Sequence, residues 1–288
     1  MPTSWLAALM LMAMSLFAAN SLLCRIALTQ TKTDPVAFAV IRIVAGALAL
    51  WLVLRRGRSA ILRSGSWTSA CALLAYAIFF SCAYVALPAA TGALLLFCAV
   101  QLTMILAGIH QGERPSMRQS LGALLSLAGL IMLLMPGVSA PSPGAAAMML
   151  VAGVAWAIYS LGGRASGDPI EQTAGNFLRA GAVACVLFLL VLPGSRVDGA
   201  GAAYAVASGA IASGLGYAVW YAVLPQLRAI TAATVQLSVP VIAAIGGVAL
   251  LAEPITLHLV VCSATVLAGI GVVIAGRESV ELSGRNSR

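Results

Sequence analysis

The sequence predicts an all-α polytopic membrane protein of ten transmembrane helices, arranged as two inverted five-helix repeats. Three observations carry that prediction: a charge-poor composition, ten apolar runs of membrane length, and self-similarity between the two halves. Hydrophobic residues fill 61% of the 288 positions and charged residues only 8%. A soluble globular domain carries roughly 25% charged residues, so this chain could not clothe a water-facing surface. Its solvent must be lipid, in keeping with a mean hydropathy of +1.03.

The apolar runs fall at about 5–28, 36–54, 67–87, 90–109, 118–136, 144–164, 171–192, 200–224, 229–251 and 256–275. Each approaches the roughly 20 residues that a helix needs to cross a hydrocarbon core of ~30 Å. Turn chemistry separates them at Asp34-Pro35, Arg55 to Ser66, Pro88, Gly112 to Pro115, Pro136 to Pro143, Gly167 to Pro169, Pro193-Gly194, Pro225 and Glu253-Pro254. The first run lacks a basic leader and is too long for a signal-peptide core, so it reads as a retained first helix.

Basic residues in short loops stay on the cytoplasmic side. With the N-terminus inside, that side holds Arg55, Arg56, Arg58, Arg63, Arg114, Arg118, Arg164, Arg228, Arg277, Arg285 and Arg288. The opposite side holds Arg25, Lys32 and Arg196. Both termini are therefore expected in the cytoplasm, and the polar tail over 277–288 is expected to be disordered.

The net charge of +8 does not point to nucleic acid, because the arginines sit in loops and form no basic stripe with interleaved aromatics. The six cysteines lie inside apolar runs without a C-x-x-C pair or a histidine at ligand spacing. No metal and no cofactor is expected.

The most specific signal is a repeat. Leu127-Ala128-Gly129 follows Glu113 by fourteen residues, and Leu267-Ala268-Gly269 follows Glu253 by the same interval, 140 residues later. Thr91 and Ala93 match Thr231 and Ala233 in that register, with Pro88 and Pro225 ahead of them. Asp34-Pro35 leading to Arg42 echoes Asp168-Pro169 leading to Arg179. The repeats are expected at 1–137 and 138–276. Five spans per half, an odd number, force opposite orientations, and such inverted repeats place a substrate site near the midplane between the halves.

The paired pattern of proline, Gly-Glu or Ala-Glu, a short turn and Leu-Ala-Gly resembles the two EamA domains of the drug/metabolite transporter superfamily. The resemblance covers nearly the whole chain. Trp156-Ala157-Ile158-Tyr159 and the segment Gly214 to Tyr221 are similar to the bacterial amino-acid exporter branch (YddG type). Where that family often has a proline in the fourth helix this chain has Val100, while the mirror position keeps Pro240. A hinge is thus expected at Pro240 alone.

Ionisable groups within a span are costly and usually functional. Arg42 and Arg179 lie roughly 9–12 Å into their spans at 1.5 Å per residue. Glu113 and Glu253 each close a helix before a turn and read first as structural carboxylates that bond local backbone or a nearby arginine. Two cross-repeat ion pairs, Arg42 with Glu253 and Arg179 with Glu113, are the gating expectation, with snorkelling of the arginines to the interface an equal alternative. Mid-span amides Asn20, Gln101 and Gln236 must face another helix or a cavity, because an unpaired amide in hydrocarbon costs several kcal/mol. Trp156, Tyr159, Phe97, Tyr76, Phe80 and Tyr217 are the aromatic candidates for lining that cavity. Packing is the competing role for each, and for Tyr217 and Trp220 the stronger one. Gly209, Ser213, Gly162 and Gly163 read as small-residue faces for close helix approach.

The resemblance implies a monomeric carrier in the bacterial inner membrane that exports small metabolites, most of all neutral or aromatic amino acids. The absence of acids from the central spans favours facilitated diffusion over proton antiport. The alternatives are an exporter of lipophilic cations, which in this superfamily relies on a first-helix glutamate where this chain offers Asn20, and an intramembrane enzyme, for which no polar cluster exists.

Overall fold

The computed structural model of the protein describes residues 3–54, 58–112, 116–135, 141–163, 168–191, 194–227, 232–233 and 235–285. Glu113, Arg114, Arg164, Arg228 and Thr231 lie outside them. The helices are α1 (Thr3–Gln30), α2 (Pro35–Val53), the short α3 (Arg58–Arg63), α4 (Trp67–Tyr84), α5 (Ala89–His110), α6 (Met117–Leu134), α7 (Pro143–Gly162) and α8 (Pro169–Val191). The eighth span is composite: α9 (Gly199–Ala207), a π-helical stretch (Ser208–Leu215) and α10 (Gly216–Val223). A 3₁₀ turn (Gln236–Ser238) then leads into α11 (Val239–Leu251), and α12 (Leu257–Arg285) closes the chain. Every apolar run of the sequence thus corresponds to a helical segment, and no strand occurs among the described residues. Seven of the described helices are long and apolar enough to cross a membrane on their own.

Helix starts follow from local chemistry. Asp34 caps α2 by accepting from the N–H groups of Val36 and Ala37, with Pro35 at the first turn. Asp168 does the same for Ile170 and Glu171 at the head of α8. Ser66 caps α4, and Ser116 with Gln119 forms a full capping box on α6. The two Asp-Pro turns are therefore equivalent in chemistry as well as in sequence.

The packing repeats the same symmetry. Helices α2 with α8, α5 with α11 and α6 with α12 pair across the halves. The packing of α1 on the eighth span is mirrored by that of α7 on α4, and α1 on α11 by α7 on α5. The Leu-Ala-Gly motifs show why the 140-residue register exists. A Cβ on Gly129 would lie 3.0 Å from Val266 N and 3.1 Å from Cys262 O, whereas one on Gly269 would lie 2.6 Å from Ser126 N and 2.5 Å from Gly122 O. Ser126 also donates to Val266 O at 3.3 Å. Nearer the end of α6, Met132 O meets His258 at 3.0 Å. Rising numbers on α6 thus meet falling numbers on α12, the antiparallel arrangement of an inverted pair.

The outer surface is apolar: Leu106, Leu189 and Ile245 are 66%, 68% and 66% exposed. In water such a surface would aggregate; in hydrocarbon it is the correct coat. The helical ladder of α12 runs on as far as Arg285, with no proline after Pro254 to end it.

Candidate functional site

At the centre, where the two halves meet, a layer of polar and aromatic side chains is buried. Asn20 of α1 is its hub. Its Nδ2 donates to the Tyr76 hydroxyl at 2.9 Å. Its Oδ1 accepts from Arg42 Nη1 at 3.2 Å, from Ser208 Oγ at 2.6 Å and from Ser213 Oγ at 3.4 Å. The Tyr217 hydroxyl donates to that of Tyr76 at 3.2 Å. Four spans are joined by one amide, which satisfies the demand that a mid-span amide find partners.

Arg42 is 1% exposed. Its guanidinium carbon stands 5.3 Å from the ring centre of Tyr76 and 4.9 Å from that of Phe80, within cation–π range. Beside it the eighth span turns π-helical. A Cβ on Gly209 would run into the Arg42 carbonyl, so only glycine lets this backbone approach α2. Such π-bulges cluster at functional sites.

A second cluster adjoins the first. Trp156 Nε1 donates to Gln236 Oε1 at 2.7 Å, and Gln236 Nε2 donates to Ala232 O at 3.0 Å. Gln236 belongs to the 3₁₀ turn that precedes Pro240, so the helix tightens locally beside the amide, where the proline removes an N–H donor. Trp156 lies 4.5 Å from Tyr217, 5.1 Å from Tyr76 and 5.2 Å from Phe17, centroid to centroid. Tyr159 stacks on Tyr221 at 4.9 Å, and Tyr221 donates to Tyr159 O at 2.7 Å.

The structure therefore gathers Asn20, Tyr76, Phe80, Trp156, Tyr159, Tyr217 and Gln236 into one buried region. Tyr217, read first as packing, is a bonded member of it. Phe97 and Gln101 are buried in α5. Phe97 joins no ring pair among the described residues, and both side-chain polar atoms of Gln101 lack a hydrogen-bond partner there.

The expected Arg42–Glu253 pair is not formed. Glu253 Oε1 accepts from Arg25 Nε at 3.1 Å, and Glu253 Oε2 accepts from Ala89 N at 2.8 Å. The reason is local: Glu253 lies at the start of α5, whose free N–H groups and dipole draw a carboxylate. Arg25, near the end of α1, also donates to the carbonyls of Tyr84 and Val85. One charged cluster thereby ties α1, the end of α4, the start of α5 and the turn after α11. Ala252, held at φ 51°, makes that last turn.

Arg179 donates to the carbonyls of Ser64, Leu62 and Gly175; its expected partner, Glu113, lies outside the described residues. Nearby, Asn176 Oδ1 accepts from Ser66 N at 2.8 Å. Both ends of the bundle are thus bridged between the halves, and the central layer is enclosed.

Sequence reasoning passed over Phe17, Ser208 and Asn176. Arg25 was available as an arginine within a span, but its position near the helix end made it look like a loop charge. Nothing in the sequence marks the π-helical stretch beyond its density of glycine and serine.

Two halves of the chain, residues 4–135 and 144–275, each match the profile of the EamA-like transporter family. The chain belongs to this family. This EamA-like transporter is 53% identical over 270 residues to an uncharacterised protein of Pseudomonas aeruginosa, covering 93% of this chain and 94% of that one. It is 28% identical over 209 residues to an uncharacterised transporter of Archaeoglobus fulgidus, covering 70% and 74%. A solved crystal structure superposes with a TM-score of 0.70 at 20% identity, covering 94% of this chain and 98% of that one. That likeness is one of fold. The EamA-like transporter is accordingly a multi-pass membrane carrier of the drug/metabolite transporter superfamily.

Proposed function

We propose that this carrier exports small amphipathic metabolites, foremost neutral and aromatic amino acids, by alternating access. The supporting observation is the enclosed central layer. Both halves supply it, and it combines amides that bind polar groups with the indole and phenol rings of Trp156, Tyr76 and Tyr217. Exchange of the two halves between conformations would open it to either side in turn. The 3₁₀ turn before Pro240 would supply one hinge.

Arginine-rich loops support placing both termini in the cytoplasm of a bacterial inner membrane. The Arg25–Glu253 cluster then closes the outer face and the Arg179 contacts the inner one. With no acid bonded into the central layer among the described residues, transport runs down the substrate gradient without proton exchange. A buried arginine at that depth opposes the lipophilic-cation reading.

Uptake of a radiolabelled amino-acid panel into proteoliposomes tests the proposal. Trp156→Ala and Gln236→Ala should each cut the rate at least tenfold. Unchanged rates in both variants would remove this site. Rates that track an imposed pH gradient at equal substrate concentrations would replace facilitated diffusion with proton coupling.

A further inference from the structure

The guanidinium of Arg42 is only partly used. Nη1 reaches Asn20, but among the described residues Nε and Nη2 have no hydrogen-bond partner, although the residue is 1% exposed. These two nitrogens share one edge of the guanidinium. Their N–H groups point the same way, in the fork that grips both oxygens of a carboxylate. The empty donors are therefore a matched pair rather than two scattered omissions.

Arginine cannot escape burial by losing its proton, and an unpaired charge in a membrane interior is costly. Elsewhere the same fold fills such donors. Arg25 has Glu253 and two carbonyls, and Arg179 has three carbonyls. The ion pair formed among the described residues is that of Arg25, so no carboxylate among them is committed to Arg42. Meanwhile Asn20 Oδ1 accepts from Nη1 and is itself held by the hydroxyls of Ser208 and Ser213, and the rings of Tyr76 and Phe80 flank the group. The arginine is held in place with its fork left open.

We infer that Arg42 receives the carboxylate of the transported molecule through its Nε–Nη2 edge. The substrate class is then the monocarboxylates bearing an apolar body, which Trp156, Phe17 and Tyr217 would cover. This rests on the carrier reading above but narrows it, and it also explains how a cation can persist at this depth: the substrate is its counter-ion.

The test uses the purified full chain in lipid nanodiscs and four probes: phenylalanine, phenylalanine amide, 3-phenylpropionate and 2-phenylethylamine. Both acids should bind about tenfold to a hundredfold more tightly than the amide and the amine, the range expected of a charge-assisted fork. Arg42→Gln should level the series, and Arg42→Lys should restore part of the preference. Equal binding of all four probes, or no binding of either acid, overturns the assignment. So does an Arg42→Gln protein that keeps the preference. If that variant fails to fold, the wild-type series decides alone. Binding of 3-phenylpropionate without phenylalanine keeps the carboxylate site and removes the amino-acid reading. Amino-acid transport indifferent to Arg42 does the reverse.

Discussion

Arg42 and Arg179 occupy related but not identical places, eight and eleven residues after the aspartate of the Asp-Pro turn that opens the second helix of each repeat, and their surroundings differ completely. Arg179 stands at one end of the bundle and closes on the carbonyls of Leu62, Ser64 and Gly175, with its guanidinium 6.0 Å from the Trp67 ring centre. Arg42 stands in the buried centre with two of its three guanidinium nitrogens unpartnered among the described residues. Each half supplies one arginine to its second helix. One fastens the segment before α4 to α8, and the other is kept for a partner that is not part of the chain. Symmetry of sequence thus builds the frame, and departure from symmetry marks the site.

The largest effect that would break this contrast comes from replacing each arginine by methionine. Arg42→Met should abolish transport while changing thermal stability little or raising it, because removing a buried, poorly paired charge for an apolar group is often neutral or favourable. Arg179→Met should leave the carbonyls of Ser64 and Leu62 without their donor and cost about 1–3 kcal/mol, seen as a lower unfolding midpoint in detergent. A large stability loss at Arg42 paired with none at Arg179 would reverse the assignment.

Next in size is the Arg25–Glu253 cluster. Glu253→Ala removes an ion pair and also the acceptor of Ala89 N. Loss of about 1–2 kcal/mol from the closed form would raise the population open at that end roughly tenfold. Cys24 reports it, because it is fully buried beside Ser81, one residue before Arg25. In a protein retaining Cys24 alone among its cysteines, a small polar thiol reagent should label it about tenfold faster after Glu253→Ala. An unchanged rate would show that this cluster is no gate.

The frame was legible in sequence because its causes are local or periodic. Apolar length marked the spans, the Asp-Pro turns marked the starts of α2 and α8, and the Leu-Ala-Gly motifs marked the repeat. The central layer was legible in part, because an amide or indole in mid-span has to find a partner. The partners themselves were not. Which acid meets which arginine depended on the free N–H groups at the start of α5, which took Glu253, and no spacing in the sequence carries that. The π-helical stretch was equally hidden, since its cause is the tertiary approach of Gly209 to the Arg42 backbone.

The glycines of the Leu-Ala-Gly motifs test the symmetric side of the comparison more gently. A Cβ on Gly269 meets backbone atoms of Gly122 and Ser126 as well as the Ser126 hydroxyl, whereas the nearest atom to one on Gly129 is a methyl of Val266. Side chains can turn aside and backbone cannot. Gly269→Ala should therefore cost about 1–3 kcal/mol and Gly129→Ala less, read as a difference in unfolding midpoint. Equal losses would mean that the two faces yield alike.

The smallest effect lies at the head of the eighth span. The N–H groups of Gly201 and Lys32 donate to Asp198 and hold its carboxyl below the usual carboxylate range. A carboxylate with a lowered folded-state pKa contributes stability in full above its ordinary pKa. That contribution is lost as the pH falls through the lowered value. Because Asp198 is open to water, the effect is small and screened by salt. Asp198→Asn keeps a helix-capping oxygen but cannot titrate. It should match the wild type in unfolding midpoint under acid conditions and fall slightly below it at neutral pH. A midpoint difference that does not change with pH would show that Asp198 acts as a neutral cap alone, and that the tie from Lys32 to α9 owes nothing to its charge.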